Sequence, residues 1–279
     1  MPTFTIQTDN AKVTCLNNIH LPLEMHFQIR LPLSIVLLFS MLWLPLGQYD
    51  FLLDNWMKIG TYAVPFLLIG AFAFTEKSTY QQLLIDHRFI STVMLIAYIL
   101  HQYEEHWIDV FGNYYAFYDF NNNFILHALG KPESTIRPLT KASILMINTS
   151  LVWLVGAMAI WKSPKHLFPS IAMASIIVVN GLVHILAAIV NWTYNPGLLT
   201  SIVIFVPLYF LFIQYVLSTS IAYKKQIISG VAWAFLAHVI MVVGLLMANW
   251  FKLFPEMVYF ILLVIWSLVP LLFFRNANQ

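Results

Sequence analysis

Apolar residues run through this chain in long blocks separated by short polar breaks. A helix that crosses a bilayer needs roughly 20 predominantly apolar residues. Eight blocks approach or exceed that length: 31–48, 60–76, 89–111, 141–161, 167–190, 197–217, 227–250 and 255–274. The pattern predicts an all-α fold, a polytopic bundle of about eight spanning helices. The first block carries Pro32 and Pro45 and is expected to be tilted or broken. Between the third and fourth blocks, residues 113–130 are aromatic and polar and too short to cross, which predicts an interfacial or re-entrant segment. Residues 1–28 are mixed polar and read as a short cytoplasmic arm rather than a cleaved signal peptide. Residues 29–279 form one transmembrane unit, with no internal repeat and no Gly/Ser linker.

Composition sharpens this picture. The chain has 279 residues, 60% hydrophobic and 9% charged, against about 25% charged in a soluble domain. A formal net charge of +2 without a basic tract gives no reason to expect a nucleic-acid partner. The single cysteine, Cys15, excludes an intrachain disulfide framework and a thiolate-rich metal site. Nine of the 14 Lys and Arg residues fall on the side of the N-terminus, so both termini are expected in the cytoplasm. Trp107, Trp192 and Trp250 then fall near the opposite ends of three spans, as interfacial aromatics do.

Against this apolar background the polar residues inside the spans stand out. The third block continues into His101-Gln102-Tyr103-Glu104-Glu105. On a helix, positions 101, 104 and 105 share one face. Buried carboxylates in a bilayer cost about 2.5–3.5 kcal/mol each on insertion scales, so a metal ion, a proton or a hydrogen-bonding helix must compensate them. The fifth block carries Asn180-Gly-Leu-Val-His184, again one turn apart, and the sixth opens on Pro196-Gly197-Leu-Leu-Thr200. His238 lies near the middle of the seventh. Alternating the helix directions puts the first three motifs at a similar depth on the same, non-cytoplasmic side.

The ordered trio His101-Gln-Tyr-Glu104-Glu105, Asn180-Gly-Leu-Val-His184 and Pro196-Gly-Leu-Leu-Thr200 resembles the HXXEE family of integral membrane proteins, over about residues 89–217. A second match to the middle signature, Asn123-Phe-Ile-Leu-His127, lacks the Pro-Gly motif close behind it, so the copy at 180–184 is preferred. The resemblance implies a membrane enzyme and a site, but not a reaction.

Imidazole and carboxylate donors suit a divalent metal, zinc before iron. His101 and Glu105 are expected as ligands from one helix, His184 as a third and His238 as a further candidate. Glu104 is then expected as general base, and Asn180 as the residue that orients His184 or donates to an oxyanion. His106, Asp109 and His127 are expected at the interface, outside the site. The expected function is a metal-dependent hydrolase embedded in the lipid bilayer and acting on a lipid or lipid-linked substrate. An oxygenase would use similar ligands, a metal-free glutamate/histidine hydrolase would use one of the paired carboxylates as base with His184 and Asn180 as its oxyanion side, and a proton- or metal-coupled transporter also carries buried His and Glu.

Overall fold

A computed structural model describes residues 49–73, 86–162, 166–219 and 224–272. The polar arm at 1–28 and the expected span at 31–48 lie outside the described residues. Within them the chain is helical, with one isolated bridge between Ile108 and Tyr114 and no strand. The helices are α1 (Asp50–Ala73), α2 (His87–His106), α3 (Ala116–Ala128), α4 (Lys141–Lys162), α5 (Phe168–Asn191), α6 (Leu198–Thr200 running on through Val206–Thr219), α7 (Lys224–Trp250) and α8 (Glu256–Leu272). Five of these, α1, α4, α5, α6 and α7, are long and apolar enough to cross a membrane; α8 is apolar but shorter.

The second expected span begins ten residues early, at Asp50 rather than 60, because Asp50, Asp54 and Asn55 sit in helical turns that a hydropathy window rejects. Block 89–111 is also corrected. Asp86 caps α2 by accepting from the N–H groups of Arg88 and Phe89 at 2.9 and 3.1 Å, and the helix stops at His106. Beyond it Asp109 gathers the chain into a turn, accepting from the N–H groups of Phe111 and Asn113 at 2.9 and 2.8 Å. Burial alone would raise the Asp109 pKa, but these bonds and those from the Asn113 amide hold its carboxyl below the ordinary aspartate range.

Within segment 113–130, residues 116–128 form a helix, α3, at the end of α2. Asn122 clamps it there, its amide donating to Leu139 O and accepting from Leu139 N, both at 3.0 Å. The same end is tied by Glu256, whose Oε1 accepts from Thr140, Ser143 and Asn249 at 2.6, 2.6 and 2.8 Å. The starts of α4 and α8 and the end of α7 are therefore held together at the level of α3.

The long helices alternate in direction, so α2, α5 and α7 run toward the α3 end while α1, α4, α6 and α8 run away from it. Their core is aliphatic and sulfur-rich, with Met94, Leu145, Met146, Ile171, Met173 and Leu263 fully enclosed. Three helices contain a π-turn: α4 at Thr149–Leu154, α6 at Ser201–Phe205 and α7 at Leu246–Trp250. Each widens the helix and re-aims the adjoining residues, a distortion frequent at functional sites. In α6 the turn ends beside Pro207, which has no N–H to offer the carbonyl four residues back.

Candidate metal centre

The last two turns of α2 are buried although they read His101-Gln102-Tyr103-Glu104-Glu105-His106: all but Tyr103 are at most 4% exposed. What makes this tolerable is visible atom by atom. Glu104 faces the start of α6. Its Oε1 accepts from the N–H of Leu199 and the Tyr194 hydroxyl, both at 3.0 Å, and its Oε2 from the N–H and hydroxyl of Thr200 at 2.8 and 2.6 Å. The first N–H groups of a helix have no intrahelical partner, and a carboxylate is the group that suits them. Glu104 is thus consumed in anchoring α6, and the expected role of general base does not fit it. Tyr194, in the turn before α6, has its pKa raised by burial and by the Glu104 charge, so its hydroxyl stays a donor.

Thr200 carries the anchor onward. Its hydroxyl proton goes to Glu104, so at the 2.7 Å contact with His101 Nδ1 the ring must donate. The neutral ring then presents a lone pair at Nε2, which accepts from the Asn180 amide at 2.9 Å and lies 3.4 Å from Glu105 Oε2. His184 is set by the same logic. The Asn195 amide nitrogen donates to His184 O at 2.9 Å, so Asn195 Oδ1 is the acceptor for His184 Nδ1–H at 2.6 Å. The His184 Nε2 lone pair then faces Glu105 Oε1 at 2.9 Å.

His106 completes the pattern from the other side. Trp153 Nε1–H can only donate, and it does so to Gln102 Oε1 at 2.9 Å. Gln102 therefore donates to Asn148 Oδ1 at 2.9 Å, and Asn148 Nδ2 donates to His106 Nε2 at 3.2 Å. That Nε2 lone pair lies 3.2 Å from Glu105 Oε2. Three imidazole lone pairs and a carboxylate thus converge, and no Lys or Arg among the described residues reaches them. Acceptors placed face to face this closely need a cation or a proton between them.

His101, Glu105 and His184 each offer one ligand atom within 4.8 Å of the others, a spacing that could hold a metal ion. Gly197 closes this group from above at φ +95°, and a Cβ there would come within 2.8 Å of His101 Cε1, Glu105 Cγ and His184 Cε1. Only glycine allows both that backbone angle and that approach. A cation held at His101 Nε2 would take the place of the hydrogen bond that Asn180 makes to that atom.

The site opens on a cavity of about 230 Å³, bounded by α2, α3, α4, α5 and α7. Its walls are apolar, with Phe117, Phe124, Ile147, Val183 and Val242 among them, and its polar end is Glu105, His106, Asn180, His184 and Asn195.

Several sequence expectations change here. Asn180 holds His101, not His184; the residue that orients His184 is Asn195. His238 does not join the three-residue group: its Nδ1 donates to Ala234 O at 2.8 Å and its ring lines the cavity. His106, expected at the interface, is buried against Glu105. His127 and Asn123 are exposed on α3 and neither lines the cavity nor joins the three-residue group, so the second Asn-x-x-x-His pair is not part of the centre. Asn195, Tyr194 and the hydroxyl role of Thr200 escaped the sequence reading. Asn195 reaches His184 across a turn, and no helical period links positions 184 and 195; its place before Pro196-Gly197 was the one available signal.

No curated protein and no solved structure matches the chain at a significant level. Residues 92–212 do match a family model, described as a protein of unknown function with HXXEE motif. That stretch contains His101, Glu104, Glu105, Asn180, His184 and Thr200, and it is an HXXEE domain.

Proposed function

We propose that this chain is a membrane-embedded metal-dependent hydrolase, with a divalent cation held by His101, Glu105 and His184, zinc before iron, acting on a lipid or lipid-linked substrate. The observation that carries the reading is an apolar cavity that ends on a buried His/Glu centre. Two imidazoles and one carboxylate suit zinc and leave a coordination position free. A cation there would lower the pKa of a water and polarise a carbonyl.

The chain's own groups divide the remaining work. Thr200 and Asn195 fix the Nδ1–H tautomers of His101 and His184, which points both Nε2 atoms at the centre. Asn180, once released from His101, is free to donate to a substrate oxygen in the cavity. His238 has Nδ1 tied to Ala234 and retains Nε2 as a proton acceptor on the cavity wall. We assign it the role expected of Glu104.

Metal analysis of the purified full chain tests this, alongside His101→Ala, Glu105→Ala and His184→Ala. Stoichiometric metal in the wild type, lost in all three variants, supports the reading. His238→Ala should keep the metal and lose hydrolysis of long-chain esters or amides. A second reading draws on the Asn180 hydrogen bond that already occupies His101 Nε2: a proton shared between His184 and Glu105 serves a metal-free hydrolase. Metal-free protein that still hydrolyses such substrates would establish that alternative, and iron as the native metal would favour an oxygenase.

A further inference from the structure

The cavity does not stop inside the protein. Three of its apolar wall residues, Phe124 on α3, Val183 on α5 and Val242 on α7, remain 42–47% exposed. They form its rim, between α5 and α7 and under the edge of α3.

The packing of α5 and α7 explains why a slot opens at this level. Both helices run the same way. Near their starts they touch without a spacer: a Cβ on Gly230 would lie 2.8 Å from Ile171 Cγ2 and 2.8 Å from Ser175 Oγ. Val183 lies 12 residues beyond Ile171, and Val242 lies 12 beyond Gly230, so the two valines share a level. There both line the cavity and both remain exposed on the outer surface, so the cavity reaches the outside of the bundle at this level.

Depth decides what the slot faces. Val183 lies eight residues before the end of α5 at Asn191, about 12 Å along the axis at 1.5 Å per residue. The 24 residues of α5 span about 36 Å, against a hydrocarbon layer of about 30 Å. Centred in that layer, α5 puts Val183 about 9 Å inside it. The slot thus faces alkyl chains, not headgroups or water.

Size and charge narrow the occupant. A volume of about 230 Å³ lies below the roughly 300–1,000 Å³ of pockets that enclose a whole small ligand. A cavity of this size has room for a reactive head and the first part of a chain, and the rest of a long chain would have to leave through the slot. Its wall contains no Lys or Arg, and Glu105 is its one carboxylate. A phosphate head would meet no Lys or Arg on this wall and would have to enter through hydrocarbon, which disfavours it strongly.

Resting on the hydrolase reading above, we infer that the substrate is an uncharged amphiphile, a long-chain ester, amide or alcohol derivative. It enters laterally between α5 and α7 and keeps its alkyl tail in the bilayer past Val183 and Val242. Photolabelling of the full chain in liposomes tests this without needing turnover. The probe is a C16 alcohol with a tail diazirine and an alkyne for recovery. Labelling should map to peptides containing Phe124, Val183 and Val242. Excess hexadecyl acetate should compete at least 10-fold better than hexadecyl phosphate. Val183→Trp with Val242→Trp should cut labelling at least 10-fold, with metal content and Tm as in the wild type. Labelling spread evenly over the apolar helices, or equal competition by the phosphate, overturns the inference. Metal-loaded, active protein with no labelling at the slot removes the portal and leaves the hydrolase. Site-specific labelling of protein that lacks metal and hydrolase activity supports the portal and removes the hydrolase.

Discussion

Gly197→Ala puts the centre under the most direct strain. Gly197 sits at φ +95°, where a residue with a Cβ costs roughly 1–2 kcal/mol. Its new methyl would also press on three ring or chain carbons at 2.7–2.8 Å, all belonging to the proposed ligands. Forcing a methyl into a packed site costs about 1–3 kcal/mol. The first cost falls on the backbone in every state; the second falls on the placement of the ligand atoms. Gly130→Ala separates them, because Gly130 has φ +65° and nothing within 4 Å of its would-be Cβ. Thermal unfolding in detergent and zinc titration against a competing chelator give the two readouts. Gly130→Ala should lower stability by about 1–2 kcal/mol and leave zinc affinity unchanged. Gly197→Ala should lower stability further and weaken zinc by about 5- to 150-fold, the equivalent of 1–3 kcal/mol. A Gly197→Ala protein that takes zinc as the wild type does, with the stability of Gly130→Ala, would refute the idea that the Pro-Gly turn clamps the three ligands.

Three other perturbations test separate links. Thr200→Val removes the hydroxyl that accepts from His101 Nδ1, so zinc affinity should fall about 10- to 100-fold, with Thr200→Ser close to wild type; equal affinity in all three would show that the Glu104–Thr200–His101 line does not set the ring. Gly230→Ala should destabilise the α5–α7 contact by about 1–3 kcal/mol in thermal unfolding while zinc affinity is unchanged, since Ile171 and Ser175 are remote from the centre. Asp109 has its pKa lowered by the turn it organises, so it contributes stability above the unfolded value and loses it as pH falls through the folded one. The stability gap between wild type and Asp109→Asn should be constant above about pH 5 and shrink below about pH 4, whereas a gap independent of pH would contradict that role.

Much of the bundle was legible because hydropathy is a local property. Five of the helices expected from apolar runs are long and apolar enough to cross a membrane, and α4, α5, α6 and α7 begin and end within three residues of the expected positions. The boundaries that moved are those where polar residues are helical, at Asp50–Asn55, or where an apolar-looking sequence is a turn, at Ile108–Phe111. Helical spacing put His101 and Glu105 on one face of α2 and paired Asn180 with His184 on α5; docking of the two helices brings His101, Glu105 and His184 into a group that could hold a metal ion.

Periodicity could not assign the roles. Glu104 and Glu105 are adjacent, chemically identical and equally buried, yet one anchors the first N–H groups of α6 and the other faces three imidazole lone pairs. That division comes from the angle of 100° between successive residues on a helix, which turns the two carboxylates toward different neighbours. The same holds for Asn180 and Asn195, whose partners sit on other elements or across a turn. A sequence names the donors and acceptors a chain carries; hydrogen bonding is short-ranged and directional, so their pairing is decided only when the helices dock.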